Sequence, residues 1–315
     1  MRAIVYSRFG SPDVLEVGTL PSPALDDTGV LVSMRASSVN VIDSRSRSGA
    51  MWPFVDKKFP KVPGSDIAGV VSAVGPRTGR FKVGDRVFGA TNAFKGGAFA
   101  EEVSLPEGSL ALMPRSVGFP EAAALPIAGL AALLALSGLG RVRSGDEVLI
   151  HGSSGAAGLF AIQLAKHFGA RVTTVSGTRG AAASRAMGAD QVFDYKSGPV
   201  VFAGAFDIII DFSGTFPFAR ARRHLKRAGR FIESSPTLPK FLGSMIANLF
   251  RAKKHLMLTT KANSVELELL ASLVDSGRLK ITVARIYPLA EARQAFIEQE
   301  KGGTVGKIVV TAGRA

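Results

Sequence analysis

Residues 152–158 read Gly-Ser-Ser-Gly-Ala-Ala-Gly, directly after the apolar run Glu147-Val-Leu-Ile-His151 and directly before Leu159-Phe-Ala-Ile-Gln-Leu-Ala-Lys166. A strand handing over to a helix through such a loop is the setting a dinucleotide cradle requires, because the helix start offers unpaired N–H groups to an anion. In this register Ser153 takes the first glycine position of the fingerprint, Gly155 lets the backbone approach a pyrophosphate, and Gly158 lets helix and strand pack closely. Ser153, Ser154, Gly155, Ala156, Ala157 and Gly158 are the expected cradle.

The next strand, Arg171-Val-Thr-Thr-Val, ends where an NAD enzyme places Asp or Glu to bond the ribose 2′-hydroxyl, and the chain continues instead Ser176-Gly-Thr-Arg179. A carboxylate there repels a 2′-phosphate, whereas Arg179 attracts one and Ser176 can donate to it. The expected cofactor is therefore NADPH.

Around this loop the pattern alternates. From about Pro120 a helical stretch leads into Glu147–His151, a helix over about 155–168, and strands at Arg171–Val175, Gln191–Phe193, Phe206–Asp211 and Gly229–Glu233. Apolar strands alternating with helices predict parallel βαβ units in a doubly wound sheet. The first hundred or so residues instead carry short β-like runs separated by Gly, Pro, Asp and Asn turns. After Thr260 a helix is predicted with Asn263 as its cap, Glu266 returning the bond, and Gly277 as its stop. Lys307-Ile-Val-Val-Thr then reads as a strand returning to the first domain, while 236–251 shows no regular pattern.

Composition narrows the chemistry. A chain of 315 residues with 46% hydrophobic content predicts two domains, and the absence of cysteine excludes disulfides, thiolate zinc sites, iron–sulfur clusters and a cysteine nucleophile. The N-terminal MRAIVYSRFG lacks a signal-peptide core, so a cytoplasmic protein is expected. The apolar stretch Ala122–Leu139 holds Pro126 and is half alanine, which favours a buried helix over a membrane span.

The net charge is +14. Its densest cluster is Arg220, Arg222, Arg223, Lys226, Arg227 and Arg230, and Phe218, Ala221, Leu225 and Ala228 recur at helical spacing through it. That spacing predicts a helix with a solvated basic face. A nucleic-acid partner is the less favoured reading of the same cluster.

Several ordered segments carry a family resemblance: Pro63-Gly-Ser-Asp-Ile-Ala-Gly-Val-Val-Ser-Ala-Val-Gly75, Phe81-Lys-Val-Gly-Asp-Arg-Val-Phe-Gly89, Gly97-Ala-Phe-Ala-Glu-Glu102, Val148 to Gly158, Gly188-Ala-Asp-Gln-Val-Phe-Asp-Tyr195 and Gly306-Lys-Ile-Val-Val. Together they resemble the medium-chain dehydrogenase/reductase superfamily, in its zinc-independent quinone oxidoreductase, or zeta-crystallin-like, branch. The resemblance implies an α/β fold in which a Rossmann doubly wound parallel sheet, residues 121–261, is inserted into a GroES-like β-rich catalytic domain of residues 1–120 and 262–315.

Where zinc members carry Cys, Gly-His-Glu and a second Cys, this chain places Asn40, Gly64-Ser65-Asp66 and Ile127, so no metal is expected. Asn40 and Asp43 match the Asn-x-x-Asp of the zinc-free branch, in which the Asn lines the nicotinamide pocket and the Asp positions it. By similarity Ser176, Arg179 and Tyr195 surround the 2′-phosphate, and Ser234 and Ser235 end a strand near the cofactor ribose and nicotinamide. Two departures, Ala131 for a threonine and Arg45 for a tyrosine, leave the acceptor open between a quinone and an enone or alkenal.

The implied activity is hydride transfer from NADPH to a small conjugated carbonyl, with Asn40 and backbone or cofactor hydroxyls polarising the acceptor and solvent supplying the proton. His151 is read as a strand-end histidine bonded to backbone. The rival readings are a nucleic-acid-binding protein and a non-catalytic NADPH-binding protein. The resemblance further implies a homodimer through an edge strand at 253–259.

Overall fold

The computed structural model describes every residue except Pro53, Asp56, 236–242, Ala247, Phe250 and 314–315, so the irregular segment at 236–251 lies largely outside the described residues. Two compact units emerge, one of residues 1–130, 261–277 and 281–315, the other of residues 131–260 and 278–280.

The first unit is built on a seven-stranded sheet in the order 283–288, 307–311, 29–38, 66–74, 86–90, 110–112, with 102–106 also paired to 29–38. Along 29–38 and 66–74 alternate side chains turn inward, and Val30, Val32, Met34, Ile67, Val71 and Phe99 form the core with Phe296 and Val310. The returning strand Lys307–Thr311 pairs antiparallel with this sheet through Val309 to Ser38 and Thr311 to Ala36. That register sets Lys307 beside Asn40, which opens the short helix Val41–Arg47.

The helix Ser264–Asp275 starts on Asn263, whose Oδ1 accepts from the Glu266 N–H at 2.9 Å, and Gly277 at φ +71° follows its end. The Glu266 carboxylate accepts from the Asn263 side-chain amide at 2.6 Å, not from its backbone as the capping pattern predicts.

The second unit carries a six-stranded parallel sheet: β1 Glu147–His151, β2 Arg171–Ser176, β3 Gln191–Asp194, β4 Phe206–Asp211, β5 Leu225–Glu233 and β6 Lys254–Met257. Their spatial order, β3-β2-β1-β4-β5-β6, is the doubly wound order of a dinucleotide-binding sheet. The inward positions of these strands are apolar, with Leu149, Val175, Ile209 and Phe231 buried.

The predicted basic helix across Phe218–Ala228 does not form. Only Phe218–Ala221 is helical, the chain turns at 222–224, and Leu225 begins β5. The His224 carbonyl accepts from Phe206 N–H at 2.8 Å, and Arg230–Glu233 then pair with Ile208–Asp211. A neighbouring strand with open ladder positions outweighs local spacing here. The basic residues also acquire partners: Lys226 binds Asp207 at 2.6 Å, and Arg220 lies over the Phe216 ring.

The stretch 119–140 forms successive, largely buried helical turns, Phe119–Ala123, Pro126–Leu133 and a wider π-type turn at Leu134–Gly140. Among the described residues no helix is long and apolar enough to cross a membrane.

Candidate functional site

The helix after the glycine loop begins at Ala156 and runs to His167, with Gly155 extended at its N-cap. A Cβ added to Gly155 would meet no atom within 4 Å, so the cradle is open there. At Gly158 a Cβ would lie 2.6 Å from Ser153 Cα and 2.8 Å from the Gly152 carbonyl oxygen, which is the close helix-to-strand approach its position demands. Gly152, at φ +78°, takes the backbone round the turn.

The Ser153 side chain does not face the cradle. It is fully buried, and its Oγ pairs with Ser184 Oγ at 2.8 Å.

Beyond β2 the structure brings Ser176 and Tyr195 together, and Arg179 follows in the next helix. Ser176 closes β2, and its buried Oγ has no hydrogen-bond partner among the described residues. Arg179 stands exposed in the first turn of helix Thr178–Ala186, and no ion pair holds it among the described residues. Tyr195 donates its backbone N–H to the Ser176 carbonyl at 3.1 Å while the residue stays 56% exposed. Above Gly177, a Cβ would sit 3.1 Å from Tyr195 Oη and 3.5 Å from Lys196 Cε. Lys196 is a cation that residue spacing did not single out, although it follows Tyr195 directly.

At the ends of β1, β4 and β5 lies a polar cluster. Ser234 donates its hydroxyl to the Asp211 carbonyl at 2.9 Å, and a Cβ at Gly214 would lie 3.0 Å from Ser235 Oγ. Asp211 Oδ1 accepts from the Ser213 hydroxyl at 2.6 Å, and Oδ2 accepts from Phe216 N–H at 2.9 Å. Burial pushes the Asp211 carboxyl up, but His151, Ser213 and the Phe216 N–H outweigh it and hold the group below the usual carboxylate range. The imidazole of His151 meets Ser213 Oγ at 2.9 Å and Asp211 at 3.4 Å, so its partners are side chains and not the backbone that its strand-end position suggested.

In the first unit Asn40, Asp43 and Asp66 belong to one buried network with Lys307. Asp66 Oδ2 accepts from Ser38 at 2.5 Å and from the Asn40 amide at 2.8 Å, with the Lys307 ammonium 3.2 Å away. Its Oδ1 accepts from Ile127 N–H at 2.8 Å. Lys307 also donates to Asn40 Oδ1. Asp43 accepts from Asn40 N–H at 2.8 Å and from Ser65 at 2.5 Å. Burial pushes the Asp43 carboxyl from 3.8 up to about 7, against the pull of the Ser65 and Asn40 donors. Lys307 was missed by sequence reasoning, where it read only as the first residue of a strand.

Among the described residues no group of three or more His, Asp or Glu side chains is placed to hold a metal. The positions that resemblance aligns with zinc ligands carry Asn40, Ser65, Asp66 and Ile127, and the one carboxylate among them is already occupied by an internal ammonium and three donors. This donor set does not fit a zinc ion.

Residues 26–115 match a family model described as the alcohol dehydrogenase GroES-like domain, and residues 187–310 match one described as zinc-binding dehydrogenase. A chloroplast envelope quinone oxidoreductase homolog of Arabidopsis thaliana is 32% identical over 98% of both chains. The solved quinone oxidoreductase of Coxiella burnetii aligns with a TM-score of 0.92 at 31% identity, covering 99% of each chain. A mycobacterial protein solved in complex with NADPH aligns with a TM-score of 0.82 at 28% identity, covering 99% of this chain and all of that one.

Proposed function

The chain belongs to the quinone oxidoreductase branch of the medium-chain dehydrogenase/reductase superfamily, and from that premise we propose that it is a zinc-free, NADPH-dependent reductase transferring hydride to a quinone or related conjugated carbonyl. The observation that carries the cofactor choice is the end of β2. The support is that the end of β2, where an NAD enzyme holds a carboxylate, carries Ser176 with a hydroxyl unpartnered among the described residues, followed by an exposed Arg179 with no ion pair among them, and that Tyr195 pairs through its backbone with Ser176.

The bound dinucleotide supplies the hydride, and the chain supplies orientation and a water-poor surface. The helix start at 155–158 would hold the pyrophosphate through its N–H groups. On the acceptor, hydride arrival leaves negative charge on oxygen, which needs a fixed donor. Asn40 is locked by Lys307 on its oxygen and Asp66 on its nitrogen, so its second amide N–H is the one left to meet that oxygen. Solvent then delivers the proton that completes reduction. No step passes through a metal, because Lys307 neutralises the carboxylate at the position resemblance gives to a zinc ligand.

Fluorescence titration with NADPH and NADH tests the cofactor. NADPH should bind at least about tenfold tighter than NADH, and Arg179→Glu should abolish that preference by replacing a charge-assisted bond with repulsion. Equal binding of both cofactors by the unaltered protein would remove the 2′-phosphate argument. Turnover of an ortho-quinone compared with a medium-chain enone then assigns the acceptor, and a protein that binds NADPH but consumes neither is not a reductase of this class.

A further inference from the structure

The strand order of the second unit reverses between β1 and β4, and a sheet of this kind takes its ligand over the carboxyl ends of the strands at that reversal. His151 ends β1, Asp211 ends β4, and the two are register partners. Ser213 gives its single hydroxyl proton to Asp211 Oδ1 at 2.6 Å, so in the 2.9 Å contact to the imidazole Ser213 is the acceptor and His151 Nδ1 the donor. In the neutral imidazole that leaves the lone pair on Nε2, for which no partner stands among the described residues.

The ring is clamped as well as polarised. It stacks on Phe216 with centroids 5.0 Å apart and planes 10° from parallel, and the side chain remains 19% exposed. An oriented acceptor held at the switch point has a defined complement: a donor on the bound dinucleotide. The adenosine end is already matched on the β2 side of β1 by Ser176, Arg179 and Tyr195, so the β4 side falls to the other half of the dinucleotide.

We propose that His151 is a cofactor-binding residue whose Nε2 accepts a hydrogen bond from the nicotinamide-side nucleoside. The proposal rests on the reading that the chain binds NADPH.

Two probes separate this role from a structural one: NADPH, and adenosine 2′,5′-bisphosphate, which carries the adenosine end alone. His151→Phe keeps a ring to stack on Phe216 but has no nitrogen, and should weaken NADPH about tenfold, the value of one hydrogen bond of this kind. It should leave the bisphosphate unchanged. His151→Gln, which returns an acceptor at similar reach, should recover most of the loss. Unchanged NADPH binding in the Phe variant would overturn the proposal, and so would equal weakening of both probes, which would mean a distorted loop. If the unaltered protein fails to bind NADPH at all, it is the cofactor reading that falls, and this inference falls with it.

Discussion

Replacing Lys307 by methionine is expected to destabilise the protein by about 3–5 kcal/mol, the usual cost of leaving a buried charge without its partner. Methionine matches the lysine stem in shape, so the loss is one of charge more than of packing. Lys307 is 5% exposed and Asp66 is fully buried, with the ammonium 3.2 Å from the carboxylate. Ser38, Asn40 and the Ile127 N–H would still donate to Asp66, but neutral donors do not replace a cation in a medium of low polarity. Urea unfolding followed by circular dichroism measures the cost. Adding Asp66→Asn removes the stranded charge, so the double variant should lose less than the two single losses together, by at least about 1 kcal/mol. Strict additivity, or a Lys307→Met loss below about 1 kcal/mol, would show that the pair is not the unit described here.

This network marks the limit of what the residues disclose in order. The glycine loop, the strand that precedes it and the carboxylate-free end of β2 are short-range features, and each constrains its own backbone, so they are legible one after another. The partnership of Lys307 with Asn40 joins positions 267 residues apart, and it follows from the antiparallel register of 307–311 on 29–38. Nothing in Gly306-Lys-Ile-Val-Val states which strand it will meet. The same physics accounts for the basic segment. Spacing at Phe218, Ala221, Leu225 and Ala228 fits a helix, yet β4 offers hydrogen-bond partners that spacing cannot register. Ser153 shows a further limit: its place in the motif is legible, but the pairing of its buried hydroxyl with Ser184 is not.

Asp43 gives the second large effect, and it appears as a dependence on pH. Its carboxyl is raised from 3.8 to about 7, chiefly by burial, so between these values the folded protein holds a proton that the unfolded chain releases. Acid therefore favours the folded state through this group. As pH rises from about 4 to 7 the contribution is lost at about 1.4 kcal/mol per pH unit, and above 7 the full cost of burying the anion remains. Asp43→Asn supplies a neutral side chain of the same shape, and the other carboxyls titrate alike in both proteins and cancel in the comparison. The stability of the wild type relative to the variant should therefore fall by about 3 kcal/mol between pH 4.5 and 8, read as the difference of two urea series. Parallel stability curves would mean that Asp43 ionises in the fold as it does in the unfolded chain, with Ser65 and the Asn40 N–H compensating its burial. A falling difference has a consequence for the neighbouring pair. With Asp43 neutral well below about pH 7, Lys307 there faces a single anion, Asp66, and as the pH rises through about 7 it faces a second in Asp43.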